Sequence, residues 1–173
     1  MNYFLKLCFI ISLIFLSCSA REKNNKPPSS IVINNHCDTC IFKLCDYRVY
    51  GWFSEIDTCG NMILYRGKLT DSIIDIDDAI KKLNATNPVN VKYIDKKNDT
   101  LCVQIINSQV YTQQLGTTGS TQYMLELLYT LTDHFGIKYV DVKFEEGDHG
   151  GQPGIYNRNK TGVGLPKRVC SCR

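Results

Sequence analysis

The feature that most constrains this chain is a repeated change of apolar spacing between Met62 and Glu145. Met62 to Tyr65 reads as a strand, followed by Gly67 as a turn or bulge. Ile76, Ala79, Ile80 and Leu83 then recur at i, i+3, i+4 and i+7, which predicts a helix capped by Asp71 or Ser72 and stopped by Asn84 to Pro88. Val89, Val91 and Tyr93 alternate with polar residues, as do Leu101, Val103 and Ile105. With Lys96 to Asp99 between them, they predict a hairpin. Asn107 to Gly119 reads as loop with room for one turn of helix. Met124, Leu127, Leu128, Leu131 and Phe135 form one stripe of a helix that starts at Ser120 or Thr121 and is ended by Gly136. Val140, Val142 and Phe144 alternate in a last strand. The order β-α-β-β-α-β, with one apolar face per helix, predicts an α+β two-layer sandwich with two helices packed on one face of a mixed sheet.

The N-terminus sets the compartment. Lys6 precedes a predominantly apolar run from Leu7 to Leu16, interrupted by Ser12. Ten helical residues rise about 15 Å, half of a bilayer's hydrocarbon core, so the run reads as the core of an export signal. It closes on Phe15-Leu16-Ser17-Cys18, a pattern similar to a bacterial lipobox, in which the thiol of Cys18 would take a diacylglyceryl group. The alternative is an ordinary secretory peptide cut after Ala20. Ser19 stands where an aspartate would favour inner-membrane retention, which points to the outer membrane. The expected divisions are signal peptide 1–17, polar tether 18–30 with Pro27-Pro28, cysteine-rich segment 31–60, regular domain 61–158 and tail 159–173. The cysteine-rich segment carries two expected strands, Ile31 to Ile33 and Tyr47 to Phe53. Twenty Lys and Arg oppose seventeen Asp and Glu without a basic bank, which argues against nucleic acid as a partner.

Nine cysteines are the compositional outlier. With Cys8 in the signal and Cys18 reserved for lipid, Cys102 sits in a strand as an unpaired thiol beside the core. Cys37, Cys40, Cys45, Cys59, Cys170 and Cys172 lie in irregular segments at both ends, and in an exported chain they predict disulfides of unspecified connectivity. At least one bridge is expected from tail to first segment. Zinc on Cys37-x-x-Cys40 with Cys45 and Cys59 is the sharper alternative, but a second Cys-x-x-Cys knuckle is missing.

Gly116-Thr117-Thr118-Gly119-Ser120, the helix around Leu128-Tyr129-Thr130-Leu131-Thr132, the strand end Phe144 to His149 and Pro153 to Arg158 resemble the GerMN (sporulation and spore germination) domain. The similarity spans about residues 61–158 and is nearest to the version found on Bacteroidetes-type lipoproteins. The resemblance implies a small α/β module on envelope lipoproteins, related in fold to ring-building modules, that acts by protein contact and has no established catalytic residues. The cysteine-rich segment and the Cys-Ser-Cys tail depart from that pattern.

The residues that invite a chemical reading are Asp148 and His149, with Glu145 and Glu146 upstream and four glycines and Pro153 around them. They could form an acid/base or metal constellation. The plainer reading is that they shape a tight loop, with Tyr156 and Arg158 pinning it to the domain. No nucleophile–base pair accompanies them, and no cofactor or metal is assigned. His134 reads as a partner of a helix C-terminus. The expected function is therefore a non-catalytic, lipid-anchored envelope protein that touches another envelope protein or itself. A metal-assisted hydrolase centred on Asp148 and His149 and a cysteine-stapled secreted binding module are the alternatives.

Overall fold

The computed structural model describes residues 49–133 and 135–171. The signal peptide, Cys18, the tether, the expected strand Ile31 to Ile33, Cys37, Cys40, Cys45, His134 and Cys172 lie outside the described residues.

Strands β1 (Trp52–Ile56) and β2 (Met62–Arg66) form an antiparallel hairpin, so the first of them starts later than expected. Its loop is closed by Asp57, whose carboxylate accepts the N–H groups of Cys59 (2.9 Å) and Asn61 (2.8 Å). At the far end of β2 the chain turns through Gly67, where any Cβ would stand 2.3 Å from the carbonyl oxygen of Val49.

Helix α1 covers Ile76–Thr86. Its cap is Asp75, four residues beyond Asp71, and the Asp75 carboxylate accepts the Asp78 N–H at 2.8 Å. The earlier polar residues are engaged in a 3-10 turn over Thr70–Ser72, in which the Thr70 hydroxyl donates to Gly51 and Gly67 carbonyls and that of Ser72 to Leu69. Ala79, Ile80 and Leu83 are buried, with Ile76 packed beside them, as the spacing predicts.

Strands β3 (Val91–Lys97) and β4 (Thr100–Ile105) make the expected hairpin, with Asn98 at φ 55° in its turn and a bulge between Tyr93 and Asp95. The polar stretch expected to be loop with one turn of helix is more helical than that. A π-helical turn spans Val110–Gln114 and runs into helix α2, Gly116–Leu131. Ser120 lies inside α2 rather than at its start, and its hydroxyl donates to the carbonyls of Tyr111 (2.5 Å) and Gly116 (2.8 Å). Strand β5 (Tyr139–Lys143) pairs parallel to β4. Two short strands missing from the sequence reading follow, β6 (Gly154–Tyr156) and β7 (Arg168–Ser171).

The α+β class stands, as does the β-α-β-β-α-β order from β2 to β5. Both helices pack on one face of the mixed sheet β3-β4-β5-β6, burying Leu101, Val103, Val140 and Val142 against Leu83, Met124 and Leu128. The departure is β2. It joins a second sheet, β1-β2-β7, which lies on the opposite side of α2. There Leu125 and Tyr129 meet Trp52 and Leu64, and the Trp52 and Tyr129 rings stand edge to face at 5.1 Å. Helix α2 therefore runs between two sheets, so a third layer is present, and residues outside its main apolar stripe are buried as well.

Alternation places Cys102 with Gln104 on the outer face of the four-stranded sheet, away from the core formed by Leu101 and Val103. It is the free cysteine among the described residues, half-buried, and burial, with Asp141 nearby, pushes its thiol pKa up. Cys59 and Cys170 are disulfide-bonded. Among the described residues no helix is long and apolar enough to cross a membrane.

Candidate functional site

The glycine-rich loop between β5 and β6 is docked on the π-helical turn. The Glu145 N–H donates to the Ser108 hydroxyl (3.0 Å), the His149 N–H to the Thr112 carbonyl (2.8 Å), and the Gly151 N–H to the Tyr111 hydroxyl (3.4 Å). Tyr111 is fully buried, its ring 5.0 Å from Phe144 and 5.8 Å from Tyr123, and burial pushes its pKa up to about 12. Its hydroxyl therefore stays protonated at physiological pH.

Of the sequence-predicted residues, Tyr156 is buried on β6 and its hydroxyl donates to the Gln152 carbonyl within the loop. Arg158 fans out against the C-terminus of α2. Its Nε donates to the Thr132 hydroxyl at 2.8 Å, and its guanidinium also reaches the Tyr129 carbonyl (3.0 Å) and Asp133 (3.1 Å). The same guanidinium lies 4.7 Å from the Tyr129 ring centre and 5.5 Å from that of Trp52. Asp133 also accepts from Arg66 Nε at 2.8 Å, which ties β2 into the same cluster. Tyr156 thus bonds within the loop, and Arg158 ties the segment after β6 to the end of α2.

Asp148 is exposed. His149 is partly exposed, and its Nδ1 lies 3.2 Å from the Thr117 hydroxyl on the first turn of α2. Among the described residues no three His, Cys, Asp or Glu side chains converge in a way that could hold a metal ion. The structure thus brings Tyr156 to the loop and Arg158 to the helix end, and leaves Asp148 facing water.

What the loop builds is an open cavity of about 660 Å3 beside β6, walled by Gly147, Gly150, Gly151 and Gly162, with Glu146 and Lys160 on its wall. Glycine is required at Gly162, where φ is +73° and a Cβ would meet the Tyr156 ring at 2.3 Å. Sequence reading missed Tyr111 and Gly162. The available signal for Tyr111 was an aromatic residue inside an otherwise polar stretch. β6 is an edge strand, so its outer main-chain groups flank the cavity, and Ile155 on it is 58% exposed.

Comparison with protein-family models, curated proteins and solved structures finds no match to this chain.

Proposed function

We propose that this chain is a lipid-anchored cell-envelope protein whose α+β domain works by protein contact. The observation that carries the reading is the edge of β6. A strand at the sheet edge among the described residues, with an exposed Ile155, lies beside a cavity walled by glycines, and the loop is held by Tyr111 and Tyr156. Such a surface suits an extended polypeptide that adds main-chain hydrogen bonds to the edge and seats alternate side chains in the cavity. The leader closing on Cys18 supports an anchor at the envelope, by sequence pattern, and Ser19 supports the outer membrane. The GerMN resemblance supports the same mode of action.

Two measurements test it. An alkyne fatty acid fed to producing cells labels the protein, and Cys18→Ser removes the label. A photoreactive residue at position 155 crosslinks in native membranes to a defined envelope protein or a second copy, while one at the 85%-exposed Ile74 does not. An unlabelled protein, or a hydrolytic turnover abolished by His149→Ala, overturns the reading.

A further inference from the structure

We infer that the outer face of the four-stranded sheet docks a second copy of this chain, face to face about a two-fold axis, with the acidic row of each copy on a basic row of the other. None of Lys92, Asp95, Asp141 and Lys143, which carry the contact, lines the cavity beside β6, so the outcome is separable from what β6 binds.

Alternation assigns the face. Leu101, Val103 and Ile105 of β4 point to the helices, so Thr100, Cys102 and Gln104 point away from them, together with their register partners on β3 and β5. Among the described residues no helix or strand lies over them. Ile94 is 43% exposed, Tyr139 39% and Ile155 58%, and Lys92, Asp95, Lys97 and Lys143 are exposed as well.

Register sorts the charges on this face into rows that run across the strands. Lys92, Gln104 and Lys143 form one row. Asp95, Cys102 and Asp141 form the next, which Ile155 extends on β6. Lys97, Thr100 and Tyr139 form the third. The bulge between Tyr93 and Asp95 is what brings Asp95 opposite Cys102, because regular pairing would put Ile94 there. Basic, acidic and basic rows thus follow one another at about 6.7 Å, two strand rises. Lys92, Asp141 and Lys143 form no ion pair with another described residue.

A polyanion needs one sign of charge along its path, and the Asp95–Asp141 row repels it. A second copy of the same face supplies the complement. A two-fold axis that lies in the contact plane, parallel to the rows and midway between the first two, exchanges those rows and leaves positions along them unchanged. Asp141 then falls on Lys143 of the second copy and Asp95 on Lys92, on both sides of the axis. Gln104 falls over Cys102, where the face holds a hollow of about 270 Å3 between Asp95 and Asp141. Packed sheets stand about 10 Å apart, a gap that facing Asp and Lys side chains span. Four strands at about 4.8 Å and the six residues of β4 at about 3.3 Å give a face of roughly 400 Å2, or roughly 800 Å2 for two copies. That is the size of a weak, reversible contact, so the dimer is concentration-dependent.

The test is sedimentation equilibrium of the purified full chain in a non-ionic detergent, from about 10 µM to about 1 mM. The average mass should climb from one chain towards two. Asp141→Lys and Lys143→Asp each set like charges against one another, and each alone should dimerise about tenfold or more weakly than the parent. Mixed in equal amounts, the two should regain the parent's association, because at these positions every contact between them joins opposite charges. Asp95→Lys and Lys92→Asp form a second pair with the same expected pattern, so the result does not hang on the folding of one variant. A chain that stays monomeric throughout, which leaves the face to another protein or to water, overturns the inference. So does a dimer that neither pair weakens, or one that the mixtures fail to restore.

Discussion

At the scale of single residues, Glu126 is the least expected. It lies on α2, largely buried, and one carboxylate oxygen accepts both the Ser54 N–H (2.8 Å) and the Ser54 hydroxyl (2.7 Å). Desolvation raises its pKa above the ordinary glutamate value, more than the Ser54 hydrogen bonds lower it. As pH rises the unfolded chain therefore ionises first, and the fold loses stability from the ordinary value up through the folded one. Glu126→Gln keeps an acceptor for Ser54 without the buried charge. It is expected to match or exceed the parent in urea denaturation at pH 7, with any gain gone below about pH 4. Glu126→Ala strands both Ser54 donors and should cost about 1–3 kcal/mol. Gly67 is a purely steric case. A methyl group there would press on main chain that cannot rotate away, so Gly67→Ala should cost about 1–3 kcal/mol in the same assay.

Among the elements, legibility followed locality. Helix α1 and the β3–β4 hairpin could be read because their spacing records which face is buried within a few residues. The start of α2 could not, since Gly116-Thr117-Thr118-Gly119 are weak helix formers, and the helix holds there through Ser120 and the preceding π-helical turn. β6 and β7 are three and four residues long, too short to show a period. The departure of β2 to a second sheet depends on a partner about a hundred residues downstream, which local pattern does not encode. In the candidate site, Tyr156 and Arg158 could be named from their position after the glycines, but Tyr111, the anchor beneath them, was hidden in polar sequence. The Arg158 cluster gives the test at this scale. Its planar fork joins Thr132, Tyr129 and Asp133, which an ammonium group cannot reproduce. Arg158→Lys should cost about 1–2 kcal/mol by chemical denaturation. The β3–β4 turn gives another: Asn98 occupies positive φ, so Asn98→Gly should be neutral or stabilising, whereas Asn98→Val should cost about 1 kcal/mol or more.

For the whole molecule, the decisive relation is that both sheets rest on opposite flanks of one helix. Leu125 belongs to the cluster of the three-stranded side, while Leu128 belongs to the core of the four-stranded side. Leu125→Ala should cost about 2–5 kcal/mol. If the two halves unfold together, hydrogen exchange at Val103 and Val142 should quicken by the same factor as at Leu64, although neither valine belongs to the Leu125 cluster. Quickening confined to β1 and β2 would mean that the halves open separately. Helix α2 is thus a keel shared by two hulls, and if they part only together, a pull on either one is borne by the entire vessel.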